Sequence, residues 1–187
     1  MINIIKSITY SFLGMAVLGW VGILFASITL AGPDPDGFLT EYFADNIIIQ
    51  EKIDALGYSF AEISEELFLL VGHMNLTLIF ICIFFTLIWS ALSHFLNIDA
   101  PGKAKIYFIH WSAFTGIYIF SIFLVTYFFT QTTTYNAADL IGAGGYFQLS
   151  LLNFILYFLI YYFGVVLGTA RFARSSVLFA NKLPGGL

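Results

Sequence analysis

Three histidines, one cysteine and eleven carboxylates are the side chains of this 187-residue sequence with the chemistry to hold a metal, move a proton or act as a nucleophile. His94 and His110 fall at similar depth on what read as neighbouring antiparallel helices, the arrangement in which two neutral imidazoles bind a b-type haem iron from both sides. The same pair, flanked by Trp89 and Trp111, also fits an interfacial belt in which amphipathic rings anchor a helix near the lipid headgroups. Cys82 lies inside an apolar run with no second cysteine to join it, so no intrachain disulfide, CxxC pair or Cys-rich zinc site can be built. The sequence contains neither HExxH nor GxSxG, and Ser112 near His110 has no acidic neighbour to complete a nucleophile. The chain is therefore expected not to be an enzyme and to hold no cofactor, with haem at His94 and His110 as the alternative.

The elements that position these groups follow from composition. Hydrophobic residues make up 60% of the chain and charged ones 10%, whereas soluble domains carry about a quarter charged residues. A net charge of -4 argues against nucleic acid as a partner. Four stretches, Ser7 to Pro33, Leu67 to Ile98, Ile106 to Ala138 and Leu140 to Ala170, contain no Asp, Glu, Lys or Arg. About 20 helical residues cross a hydrocarbon core of about 30 Å, so each stretch crosses once. Runs such as Ile79 to Ile88 lack the alternation of a membrane barrel strand. The expected fold is an all-α integral membrane protein with four transmembrane helices, at about 7–31, 67–95, 106–130 and 146–170. The first stretch exceeds the roughly 7 to 15 apolar residues of a signal peptide and is expected to be retained.

Charge sets the expected orientation. Lys6, Lys103, Lys105, Arg171, Arg174 and Lys182 lie on one side of the four spans, which places both termini in the cytoplasm of a bacterial inner membrane or its endosymbiont-derived counterpart. Ten of the eleven acids lie on the other side, relieved there only by Lys52. Nine of those ten acids fall in the 32–66 segment between spans one and two. Its apolar spacing predicts one amphipathic helix over 38–56, capped by Asp36 and ended by Gly57. Ser59 and Glu62 then form a capping box for a long helix from about 60 to 95, which would project about three turns beyond the membrane.

Two kinds of contact are expected from these elements. On the amphipathic helix, Leu39, Phe43, Ile47 and Ile53 would supply apolar contact to a partner, while Glu41, Asp45 and Glu51 would steer a basic partner surface. The same stripe would also fit the chain's own projecting helix near Phe60, Ile63 and Leu67. Within the bilayer, small residues that allow close helix approach occur as Gly22 with Ala26, Ser112 with Gly116, and Gly164 with Gly168. Asn75, Gln148 and Asn153 are expected to form interhelical hydrogen bonds or to line a pore, and the Gly142–Gly145 run reads as a turn into the fourth span.

Together these features suggest a non-catalytic structural or assembly subunit that contacts other membrane subunits and the lipid bilayer. The alternatives are a small b-type cytochrome and a channel or transporter subunit. The layout of one span, an outer helical segment and three further spans resembles that of small inner-membrane proteins of conjugative elements, which implies a component of a conjugation or secretion apparatus.

Overall fold

The structure, a computed structural model, describes residues 2–57, 59–92, 103–132 and 136–169. Its helices are α1 (Ile2–Ala31), α2 (Phe38–Asn46), α3 (Gln50–Leu56), α4 (Phe60–Leu92), α5 (Lys103–Thr130) and α6 (Ala143–Thr169), with a 3₁₀ turn over Asn136–Leu140. Four of them, α1, α4, α5 and α6, are long and apolar enough to cross a membrane. The chain is thus an all-helical protein with four candidate membrane spans. At 1.5 Å per residue the 33-residue α4 is about 50 Å long, well beyond a hydrocarbon core of about 30 Å. Residues 93–95, where the sequence extends this helix, lie outside the described residues, as does residue 170 at the expected end of the fourth span.

The chain divides into two compact units, one of residues 1–20, 80–121 and 157–187, the other of residues 21–79 and 122–156. In the first unit, small and hydroxyl-bearing residues draw α1, α4 and α6 together. Ser11 and Ser90 hydrogen-bond across α1 and α4, and Ser90 also donates to the Thr86 carbonyl at 2.8 Å. Gly164 fills the space beside them. A Cβ there would come within 2.8 Å of Thr86 Cγ2 and 3.3 Å of the Ser11 carbonyl oxygen, and closer still to the Met15 side chain. Gly164 thus lies at a close approach of helices within this chain, while the side-chain surroundings of Gly168 lie outside the described residues.

An aromatic layer joins α4, α5 and α6 in the same unit. Ring centroids of Trp89 and Phe114, Phe114 and Phe85, and Phe85 and Tyr118 are each 5.2–5.3 Å apart, and Tyr118 stacks on Tyr161 at 4.4 Å. The Phe85–Tyr118 and Trp89–Phe114 pairs run in opposite chain directions, so α4 and α5 are antiparallel neighbours. Buried phenols need partners: Tyr118 donates to the Tyr157 carbonyl at 2.8 Å, and the hydroxyls of Thr115 and Tyr161 lie 3.1 Å apart. Ser112 and Gly116 carry the same small-residue spacing yet are exposed, and a Cβ at Gly116 would meet nothing within 4 Å. On the same helix Thr115, Tyr118 and Ile122 are buried.

The second unit contains the 32–66 segment, and here the expected single helix over 38–56 is corrected to two. The helix stops after Asn46, and Ile48 pairs with Ile141 as an isolated antiparallel bridge while the Ile49 N–H donates to the Leu140 carbonyl at 3.0 Å. Three successive β-branched isoleucines give this stretch an easy route into extended backbone, and the 136–141 turn supplies the partner. The N-cap of α2 is Gly37, without a side-chain cap, in place of Asp36. Gly57 ends α3 in the left-handed conformation at φ 71°, as its position predicts. Glu62 reaches back to accept from the Ser59 N–H at 2.8 Å and the Ser59 hydroxyl at 2.9 Å, the expected tie at the start of α4.

Close backbone approach explains two glycines. A Cβ on Gly72 would collide with the Leu30 side chain at 2.6 Å and come within 3.2 Å of Thr29 Oγ1, so α1 and α4 touch there; Gly22 and Ala26 of α1 are buried. A Cβ on Gly145 would collide with the main chain of Ile47, its carbonyl carbon at 2.9 Å and its Cα at 3.0 Å. The glycine run at the start of α6 is therefore a seat for the α2–α3 connection as well as a turn.

Candidate functional site

The 32–66 segment carries the densest set of charges, and its own fold determines which side chains it displays. Phe43, Ile47 and Ile53 are at most 1% exposed, and the Phe43 ring meets Phe68 of α4 edge-on at 5.1 Å. Ile63, Leu67, Leu70 and Val71 of α4 are buried in the same unit. Of the expected partner stripe, three members thus build this chain's own interior, and Leu39 is half-buried. The acids behave differently. Asp34, Asp36, Glu41, Asp45, Glu51, Asp54, Glu62, Glu65 and Asp139 are all exposed, and Glu66 is half-buried. Phe38, at the start of α2, is 75% exposed and lies against Tyr42 with ring centroids 6.1 Å apart.

Three polar contacts hold this surface in place. Tyr42 donates its hydroxyl to Gln148 Oε1 of α6 at 2.7 Å, Lys52 Nζ donates to the Asp139 carbonyl at 2.7 Å, and Gln50 Nε2 donates to Asp54 Oδ1 at 3.3 Å. The Lys52 bond ties α3 to the 136–140 turn. Glu62 precedes the charge-free part of α4, and the Ser59 N–H followed by the Ser59 hydroxyl holds its carboxyl below the ordinary carboxylate range. The result is a folded surface with carboxylates outward and apolar residues inward.

Of the haem candidates, His94 lies outside the described residues and His110 is exposed on α5. His73 is also exposed, on α4. Among the described residues no three His, Cys, Asp or Glu side chains group to hold a metal ion. Cys82 is buried, with its thiol 3.8 Å from the Tyr157 carbonyl oxygen.

Interior polar residues form the other distinctive group. Asn153 of α6 donates to Thr126 Oγ1 of α5 at 3.1 Å, and Asn75 of α4 donates to the Val71 carbonyl at 2.8 Å. Gln148, through Tyr42, and Asn153, through Thr126, both make contacts between helices. Sequence reasoning named both residues but not their partners, which lie on other elements; nor did it single out Ser150, one turn before Asn153 on the same face of α6. Comparison with protein-family models, with curated proteins and with solved structures gives no match.

Proposed function

We propose that this protein is a non-catalytic subunit of a larger membrane assembly, docked through its acidic 32–66 segment to a basic surface of another subunit. The termini lie in the cytoplasm and the acidic segment faces outward, in a bacterial inner membrane or an endosymbiont-derived one, in keeping with the placement of Lys and Arg. One observation carries this reading: the segment buries its own apolar stripe and holds its carboxylates outward on a folded support. A surface already ordered before contact loses less conformational entropy on docking than a flexible acidic tail would. In this arrangement Glu41, Asp45 and Glu51 steer the partner, and exposed Phe38 offers an apolar anchor beside them.

Charge reversal tests the proposal without disturbing the fold, because the three acids are exposed. The triple variant Glu41→Lys, Asp45→Lys, Glu51→Lys is expected to insert and fold as the wild type does but to lose its co-purifying subunits. Facing like charges across an interface costs several kcal/mol, far more than a single rim carboxylate contributes. Raising the salt should weaken wild-type association in the same direction, since screening shortens from about 10 Å at 0.1 M to about 3 Å at 1 M. Undiminished recovery of the same subunits with the triple variant would mean that the acidic surface does not hold them.

A further inference from the structure

In the unit formed by residues 21–79 and 122–156, Thr126, Ser150 and Asn153 are each at most 1% exposed. The direction of their hydrogen bonds can be traced atom by atom. Thr126 donates its one hydroxyl proton to the Ile122 carbonyl at 3.0 Å, so its oxygen accepts from Asn153 Nδ2 at 3.1 Å. The same Nδ2 lies 3.6 Å from Met74 Sδ, a weak acceptor. The amide of Asn153 is thereby oriented nitrogen-first toward Thr126, and its Oδ1 is left with no donor among the described residues.

Ser150 shows a matching deficit. Thr77, Thr86, Ser90, Ser121 and Thr126 each return their hydroxyl proton to the carbonyl four residues earlier. Ser150 Oγ does not, and it too has no partner among the described residues. An acceptor that needs a proton and a hydroxyl that needs a bond thus lie three residues apart on one helix. Residues at that spacing are neighbours on one face of a helix, so a single small molecule can reach both side chains.

The geometry points to a single bound water molecule between Asn153 Oδ1 and Ser150 Oγ. Two buried polar atoms that each lack one hydrogen bond match what a water molecule supplies, and the neutral groups Met74, Thr126, Ser150 and Asn153 offer no counter-charge to a cation. The water donates one proton to Asn153 Oδ1 and accepts the Ser150 proton. It extends the α5–α6 bond between Thr126 and Asn153 by one member and keeps the amide turned toward Thr126.

Magic-angle-spinning NMR on the full chain in lipid nanodiscs, labelled at asparagine and serine, tests this with water itself as the probe. The Asn153 side-chain carbonyl signal is assigned by its loss in Asn153→Leu. Polarisation is expected to pass from water to that carbonyl and to the Ser150 Cβ in the wild type, and the transfer to Asn153 is expected to fall several-fold in Ser150→Ala. Absence of transfer in the wild type, or equal transfer in Ser150→Ala, overturns the site. Thermal unfolding supplies an independent sign. Deleting a hydroxyl that holds a water lowers the midpoint, here by about 2–4 °C, whereas deleting an unpartnered buried hydroxyl leaves it unchanged or raises it. An unchanged or raised midpoint therefore also overturns the proposal.

Discussion

Replacing Gly145 with valine is expected to detach the 47–57 stretch from the start of α6 while leaving α1, α4, α5 and α6 helical. The obstacle is main chain: the Ile47 carbonyl group and Cα lie where the new Cβ must go, and no rotamer change relieves that. Overpacking a core costs about 1–3 kcal/mol when side chains can adjust, and a backbone collision belongs at or above the upper end. The Ile48–Ile141 bridge and the Ile49 to Leu140 hydrogen bond are expected to be lost together, since both depend on the same approach. Hydrogen exchange at the Ile49 amide reads this directly, with exchange accelerated in the variant. Gly144→Ala is the adjacent control: a Cβ there meets nothing within 4 Å, so exchange at Ile49 should stay as in the wild type.

The double variant Phe43→Ala, Ile47→Ala is expected to unfold the 32–66 segment while the chain still inserts in the membrane. Both side chains are essentially enclosed, and the Phe43 ring packs on Phe68. Truncating a buried Phe costs about 3–5 kcal/mol and a buried Ile about 2–5 kcal/mol, though such close neighbours do not add simply. The four spans draw their insertion from lipid contact along charge-free stretches, which neither change touches. Limited proteolysis in detergent should show cleavage within 32–66 many times faster than in the wild type, with the long helices protected. Cleavage at the wild-type rate would mean that the segment does not rest on its own chain.

These two variants mark the boundary of what the sequence discloses. The spans are legible because the absence of charge over twenty or more residues has one physical outcome in a bilayer. Gly57, with its left-handed turn, and the Ser59–Glu62 tie are legible because their causes lie within four residues. The break between α2 and α3 is not. Ile47, Ile49 and Ile53 fit a helical stripe as well as an extended pairing, and the choice is made by Ile141, in the loop before α6. The same limit applies to small residues: Gly164 is packed and Gly116 is open, yet in helices apolar on every side no pattern distinguishes the inner face from the lipid-facing one. Gly145 reads as part of a turn because its collision partner is equally remote. Of the candidate partner stripe, the chemistry was readable and the occupant was not, since an apolar face specifies burial without specifying against what.

Native mass measurement of the protein extracted from its own membrane in gentle detergent distinguishes a chain that works as one subunit among others from one that works alone. The expected particle contains the 20.9 kDa chain together with at least one further membrane polypeptide, and it comes apart as salt is raised. A particle containing this chain alone, at the mass of a single copy and at low salt, would contradict the subunit role.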